Sequence, residues 1–406
     1  MEQITTAVAS CILWLYGAAG AGKSSIAQSI AELCSEKGLL IGSFFFFRAA
    51  PLRNNPKRLS ASLAYQLAQA MPFTLPHIAA CITTNPAIFE SSLQEQITKL
   101  FVQPLCKGYA EYPGLSNQPK LIILDGLDEC DKPSVQQHIL VALAKVFQGT
   151  TLPIVVLVAS RPETHISATF ESSDELSHIQ TAHIGLNNDY DSDKDIRIFL
   201  NSKFTSMKRS HPFRQYIPDQ WPNVKDIDYI VQKASGQFIF PATIVRYVEF
   251  GECKPHEQLR IVVDGSKRFA SELGDSPFKE IDALYLHIFS GVRNIVLVLA
   301  IIFIRLDLHK LATTSATHPR TIETHLRLLP GDVHTQLSAL ASLLKFEGAD
   351  QPIRLFHASL EDFLIDKRRS RGFYIKQPKV RAHLAKMYIC RVLEPGSYSF
   401  NPPNKL

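Results

Sequence analysis

Eight residues, Gly17-Ala18-Ala19-Gly20-Ala21-Gly22-Lys23-Ser24, constrain this chain more than any other stretch. They complete the pattern G-x-x-x-x-G-K-[ST], whose glycines let backbone N–H groups curl around a phosphate. The apolar run from Cys11 to Tyr16 that precedes it reads as a strand. Ile26, Ile30, Leu33 and Cys34 follow at helical spacing, so the loop opens a helix whose positive end also faces the phosphate. Lys23 would reach the β- and γ-phosphates, and Ser24 would place its hydroxyl on Mg2+. The plainer alternative is a Gly/Ala-rich turn ahead of a helix, and the flanking strand and helix weigh against it.

A second stretch, Leu121-Ile122-Ile123-Leu124-Asp125-Gly126-Leu127-Asp128-Glu129, is an apolar strand that ends in acid. Four aliphatic residues in a row suit a parallel strand buried on both faces. An acid at the carboxyl end of such a strand lies where open α/β sheets bind their ligands. Asp125 is thus the candidate Walker B carboxylate, a Mg2+ ligand together with Ser24. Gly126 stands where many motor ATPases carry their catalytic carboxylate. Asp128 and Glu129 follow, and either could orient or deprotonate an attacking water.

With 406 residues, the chain suggests two to four domains. Its 46% hydrophobic and 20% charged content excludes a disordered protein, and a net charge of +5 is too modest to imply nucleic acid. Seven scattered cysteines with no C-x-x-C pair argue against a disulfide framework and a zinc site, and for a reducing, cytoplasmic setting. The run Ile295 to Ile304 stops at Arg305, too short to span a bilayer, so no membrane segment is expected.

Strands and helices alternate through the first half. After the loop come a strand over Leu39 to Phe47, a helix over Arg58 to Met71, the Asp125 strand, a helix over Ser134 to Phe147 and a strand over Ile154 to Ala159. A short strand near His183 to Leu186 closes the sheet. Residues 191–250 read as helices broken at Gly236 and Pro241, and Gly251 to Pro277 as a polar connector. Ile281 to Arg305 reads as helical, Pro352 to His357 as a strand before a helix, and the tail from Pro395 to Leu406 as frayed.

With Ser160-Arg161-Pro162-Glu163 added to the two motifs, the chain resembles a NACHT-type NTPase of the STAND class. It is most similar to the fungal NACHT-repeat proteins related to the nephrocystin-3-like group. Ile12 to Gly17, Ser43 to Arg48, Asn54 to Leu59, Asp125 to Cys130, Ile281 to Tyr285 and His357 to Leu364 carry the resemblance. It implies an α/β, parallel-sheet P-loop NTPase core over 1–190, a small helical domain and connector over 191–277, a winged-helix-like domain over 278–366, and the start of a further helical region with the tail over 367–406.

In that group ADP is clamped in a closed resting state, and exchange for ATP permits homo-oligomerisation. The implied activity is a slow NTPase acting as a signalling switch. Gly17, Gly20, Ala21, Gly22, Lys23, Ser24 and Ser25 are its candidate nucleotide-binding residues. Arg161 would sense the γ-phosphate beside the catalytic candidates Asp128 and Glu129. The alternative for Arg161 is an ion pair with Glu163 or another surface carboxylate. His357 would reach the β-phosphate of ADP, against an ordinary half-buried histidine. Pro241 would pack near the adenine, against a helix-start proline. Arg48, at the end of the second strand, reads as a salt-bridge partner or a phosphate contact.

No effector domain is recognisable before residue 11 and no repeat array after residue 394. A truncated scaffold, a fragment, or a module working with separate effector or sensor proteins therefore stays open. An ATPase motor or phosphotransferase is the competing enzyme reading, and Gly126 counts against the motor. The stretch Lys367, Arg368, Arg369, Arg371, Lys376, Lys379 and Arg381 could contact nucleic acid, although solvated helix ends explain it equally well. With no N-K-x-D motif after the Ile154 to Ala159 strand, ATP/ADP is favoured over GTP.

Overall fold

The computed structural model describes residues 10–48, 50, 52–112, 118–148, 150, 152–186, 192–250, 253–273, 276, 278–311, 317–346 and 348–393. The expected boundary at 190/191 and the tail from Pro395 lie outside them. Two compact units divide the chain, Met1–Lys194 with Gly236–Phe238, and Asp195–Ser235 with Ile239–Leu406.

The first unit runs β1 (Cys11–Tyr16), α1 (Lys23–Glu36), β2 (Leu40–Phe45), α2 (Leu59–Ala70), α3 (Leu75–Thr84), α4 (Leu93–Ile97), α5 (Gln103–Glu111), β3 (Lys120–Asp125), α6 (Pro133–Phe147), β4 (Ile154–Ser160), α7 (Thr164–Ser172), α8 (Asp174–Ser177) and β5 (Gln180–Gly185). The strands form one parallel sheet in the order β2-β3-β4-β1-β5. Alternation sends neighbouring side chains to opposite faces. Ile12, Trp14, Ile122, Leu124, Val156 and Val158 enter the larger core with α2, α5 and α6. Leu15, Ile123, Leu157 and Ala159 face α1.

Helix α1 buries Ala27 and Ala31, whereas Ile26 and Leu33 of the expected apolar stripe are exposed. Small side chains let that helix lie close to the sheet. Trp14 stacks on Tyr16 and Phe170, each with a centroid separation of 4.5 Å, and its Nε1 donates to Ser160 Oγ at 2.9 Å. The end of β1 is thereby tied to the end of β4. Strand β5 is an exposed edge strand paired with β1.

The second unit contains α9 (Ser192–Ser210), α10 (Val224–Ala234), α11 (Ile239–Phe250), α12 (Pro255–Glu272), α13 (Lys279–Ser290), α14 (Ile295–Leu311), α15 (Pro319–Leu326), α16 (Asp332–Leu337), β6 (Leu344–Lys345), β7 (Arg354–Leu355), α17 (Ala358–Ile365), α18 (Lys367–Ser370) and α19 (Pro378–Leu393). Strands β6 and β7 pair antiparallel. Phe204 and the buried Trp221 meet edge to face at 4.9 Å.

Three expectations need correction. The polar connector is mostly α12, an 18-residue helix opened by Pro255, whose Leu259, Val262, Val263, Ser266 and Ala270 form a buried stripe at helical spacing. Pro241 does not break a helix: it sits in the first turn of α11, where a missing N–H costs nothing. Helix α14 does not stop at Arg305, which is 2% exposed and donates from Nε to Ile353 O at 3.0 Å. No helix among the described residues is long and apolar enough to cross a membrane.

Asp282 of α13, 2% exposed, receives a two-pronged bond from Arg369, with Nη2 at 2.8 Å and Nε at 3.1 Å. The guanidinium also lies 4.4 Å from the Phe278 ring centroid. A charge buried this deeply depends on its partner. Arg369→Ala is therefore expected to destabilise the second unit by about 3–5 kcal/mol in urea unfolding, and Asp282→Asn/Arg369→Met by much less.

Candidate functional site

The carboxyl ends of β1, β3 and β4 lie level, because Tyr16 pairs with Ser160 and Asp125 with Ala159. The residues just beyond those ends are therefore neighbours: the loop 17–24, the turn 126–130 and Arg161. This is where parallel sheets present their ligand sites.

In the loop, Gly20 (φ 81°) and Gly22 (φ 92°) are left-handed. A Cβ on Gly17 would sit 3.0 Å from Leu186 Cβ, so a larger residue at the loop's start would press on Leu186. Helix α1 has no side-chain cap, which leaves the N–H groups around Lys23, Ser24 and Ser25 available to an anion. Lys23 Nζ donates to the carbonyls of Gly17 (2.8 Å) and Ala18 (2.9 Å), folding back onto the start of the loop. Burial pushes its ammonium below the usual range, and Asp128 opposes that shift.

Asp125 is 4% exposed and accepts a hydrogen bond from the Ser24 hydroxyl. Its Oδ1 is buried and has no hydrogen-bond partner. Burial raises its pKa from 3.8 to about 6, against the pull of Ser24 and Lys23. A hydroxyl beside an unsatisfied carboxylate oxygen is a hard-oxygen donor pair that fits Mg2+, which uses few protein ligands and takes the rest from phosphate and water.

Gly126 is left-handed at φ 70°, and a Cβ there would lie 3.1 Å from Phe46 O. A carboxylate directly after Asp125 would thus meet a strained left-handed backbone and a tight contact with that carbonyl. Of the two acids that follow, Asp128 is engaged: Oδ1 accepts from Arg161 N at 2.9 Å and Oδ2 pairs with Arg161 Nε at 3.1 Å. Glu129 Oε2 accepts a main-chain hydrogen bond from Arg48 N at 3.0 Å. Burial raises its pKa from 4.5 to about 7, where a general base works best near neutrality. Arg161 pairs with Asp128, a partner that sequence reasoning left unnamed.

Two groups escaped the sequence reading. Gln136 of α6 and His165 of α7 lie beneath the turn that carries the acids, with Gln136 Nε2 donating to Cys130 O at 2.7 Å. The available signal was an amide in an otherwise apolar stripe, Gln136-Ile139-Leu140-Leu143, all buried. Pro241 and His357 belong to the second unit. His357 caps α17, its Nδ1 accepting from Ser359 N at 3.0 Å, so its proton sits on Nε2. In the basic stretch Arg369 holds Asp282 and Arg371 reaches Glu272, while Lys367, Arg368, Lys376, Lys379 and Arg381 are exposed.

The raised pKa of Asp125 means that the folded protein binds more protons than the unfolded chain between pH 3.8 and about 6. Stability contributed by the protonated form is present at low pH and lost as pH rises through that window. Asp125→Asn, free of this cost, is expected to be more stable than wild type at pH 8 without nucleotide, by on the order of 3 kcal/mol. The two proteins should converge near pH 4 in urea unfolding curves.

Residues 2–161 match the family model described as Nephrocystin 3, N-terminal. A comparison with curated proteins gives no match. Among solved structures, the Aeropyrum pernix ORC2 protein in its ADP form is 14% identical at a TM-score of 0.32, covering 96% of this chain and 90% of that one. Cdc6p from Pyrobaculum aerophilum is 11% identical (TM-score 0.37; 92% and 88%), and Drosophila ORC bound to DNA 13% (0.38; 91% and 91%). Likenesses this low carry no inference about the chemistry of this chain. Over residues 2–161 the chain is similar to the nephrocystin-3-like group of P-loop NTPases, the group its motifs resemble.

Proposed function

We propose that this chain is a nucleotide-dependent switch of the NACHT/STAND kind, binding Mg·ATP or Mg·ADP and hydrolysing ATP slowly. The observation that carries the reading is the buried, unpartnered Oδ1 of Asp125 beside Ser24 and Lys23. Mg2+, when bound there, would offset phosphate charge; Ser24 and Asp125 would hold it. The loop N–H groups and Lys23 bind and orient the phosphates. Glu129 takes the proton from the attacking water. Arg161, aimed by Asp128, reads the γ-phosphate.

Slow turnover is supported by two features. An acid at Gly126, beside Asp125, would be strained and tightly packed, and Glu129 is bonded to the main chain at Arg48. For Pro241 and His357, adenine packing and β-phosphate contact rest on the resemblance alone. The winged-helix reading of 278–366 is supported by the order α13 to α16, a short antiparallel hairpin, then α17. The helical 191–277 and 367–406 segments, ATP-driven homo-oligomerisation, separate effector proteins and a cytoplasmic location belong to the same proposal. The fold gives no support for excluding nucleic acid as a partner.

Protein purified under native conditions is expected to carry near-stoichiometric ADP, identified chromatographically after denaturation and lost in Lys23→Ala. Empty protein that also binds neither added ATP nor GTP would overturn the reading. Glu129→Gln should keep nucleotide binding and lower the hydrolysis rate by about 10²-fold or more in a phosphate-release assay, removing a rising limb centred near pH 7.

A further inference from the structure

Gln136 lies on α6, 3% exposed, in a stripe otherwise made of Ile139, Leu140 and Leu143. A buried amide is retained only where its hydrogen bonds are met. Its Nε2 donates to Cys130 O at 2.7 Å and to Asp128 O at 3.4 Å, so it holds the turn that carries Asp128 and Glu129 from below. Its Oε1 faces His165 Nε2 at 2.6 Å. An amide oxygen can only accept, so His165 donates from Nε2. His165 lies four residues beyond Arg161, at the start of α7, with Nδ1 3.9 Å from Glu163 Oε2.

Two segments that are far apart in sequence therefore hang on one side chain. Above it, Asp128 joins the same two segments a second time through Arg161 N and Nε. Two links at different points fix both the spacing and the relative orientation of the two segments, so with either link gone they can pivot about the other.

We infer that Gln136 and His165 are positioning residues that lock the acid-bearing turn and the Arg161 segment into a single rigid piece. This rests on the proposed nucleotide chemistry for its catalytic consequence, though not for the linkage itself. Neither residue reaches the reacting atoms; both act through Glu129 and Arg161. A sub-ångström error in such groups is costly to turnover while binding by the loop is untouched.

The test compares wild type with Gln136→Met and His165→Phe, each preserving bulk. Hydrogen–deuterium exchange by mass spectrometry should show cross effects. His165→Phe is expected to speed exchange across 126–131 about tenfold, and Gln136→Met to speed it across 160–166 equally, with 17–30 unchanged. In turnover assays kcat should fall about tenfold in both with KM unchanged, and the double variant should fall no further than either single one. Effects confined to the segment that carries each substitution would overturn the linkage. If Gln136→Met does not fold, the cross effect of His165→Phe decides alone. A wild-type protein that binds no nucleotide would remove the switch reading, and the exchange result would still decide the linkage.

Discussion

The in-register parallel pairing of β1, β4 and β3 is the constraint on which this site depends. Because Tyr16, Ser160 and Asp125 finish at one level, each residue with chemistry lies within a few positions of a strand end. A slip of one residue in β3 would send Asp125 to the opposite face of the sheet and put Leu124 in its place. The aliphatic side chains of β1, β3 and β4 on both faces are what forbid that slip. Core packing and site geometry are one property of the same strands.

Buried charge is the second organising theme. Asp125, Asp128, Lys23 and Arg161 share a region short of water, and only some of them are matched. Asp128 and Arg161 satisfy each other, whereas Asp125 keeps an unmet oxygen. A chain selected for stability alone would fill that position with an apolar residue. An uncompensated buried carboxylate of this kind is a candidate for ligand binding rather than a contribution to stability.

The legible parts of the chain were those whose meaning is local. The loop 17–24 and the strand ending at Asp125 are contiguous strings, and a strand followed by Ser160-Arg161 reads directly. Residues 72–111 were not assigned, because α3 is short and the helical run from Leu93 to Glu111 changes period at a π-helical turn over Thr98–Val102. Helix α12 was missed since its polar surface outweighs its five-residue buried stripe. The choice between Asp128 and Glu129 was closed to sequence reasoning, as adjacent acids differ only in what the fold sets beside them: Arg161 for one, the Arg48 main chain for the other. The role of Gln136 was closed for the same reason: an amide in an apolar stripe marks it, but its partners lie six residues back and 29 residues on.

The chain has two tryptophans, and they fall one to each unit: Trp14 in the sheet and Trp221 among the helices. Trp14 is stacked between rings and bonded to Ser160, one position before Arg161, while Trp221 packs on Phe204. Their emission therefore carries two separable reports on one molecule. Silencing Trp221 with phenylalanine leaves an indole whose colour and lifetime follow the strand ends around the phosphate loop. Silencing Trp14 leaves one that answers to the helical unit alone, so whether the halves respond to a ligand together or in turn becomes a question for light.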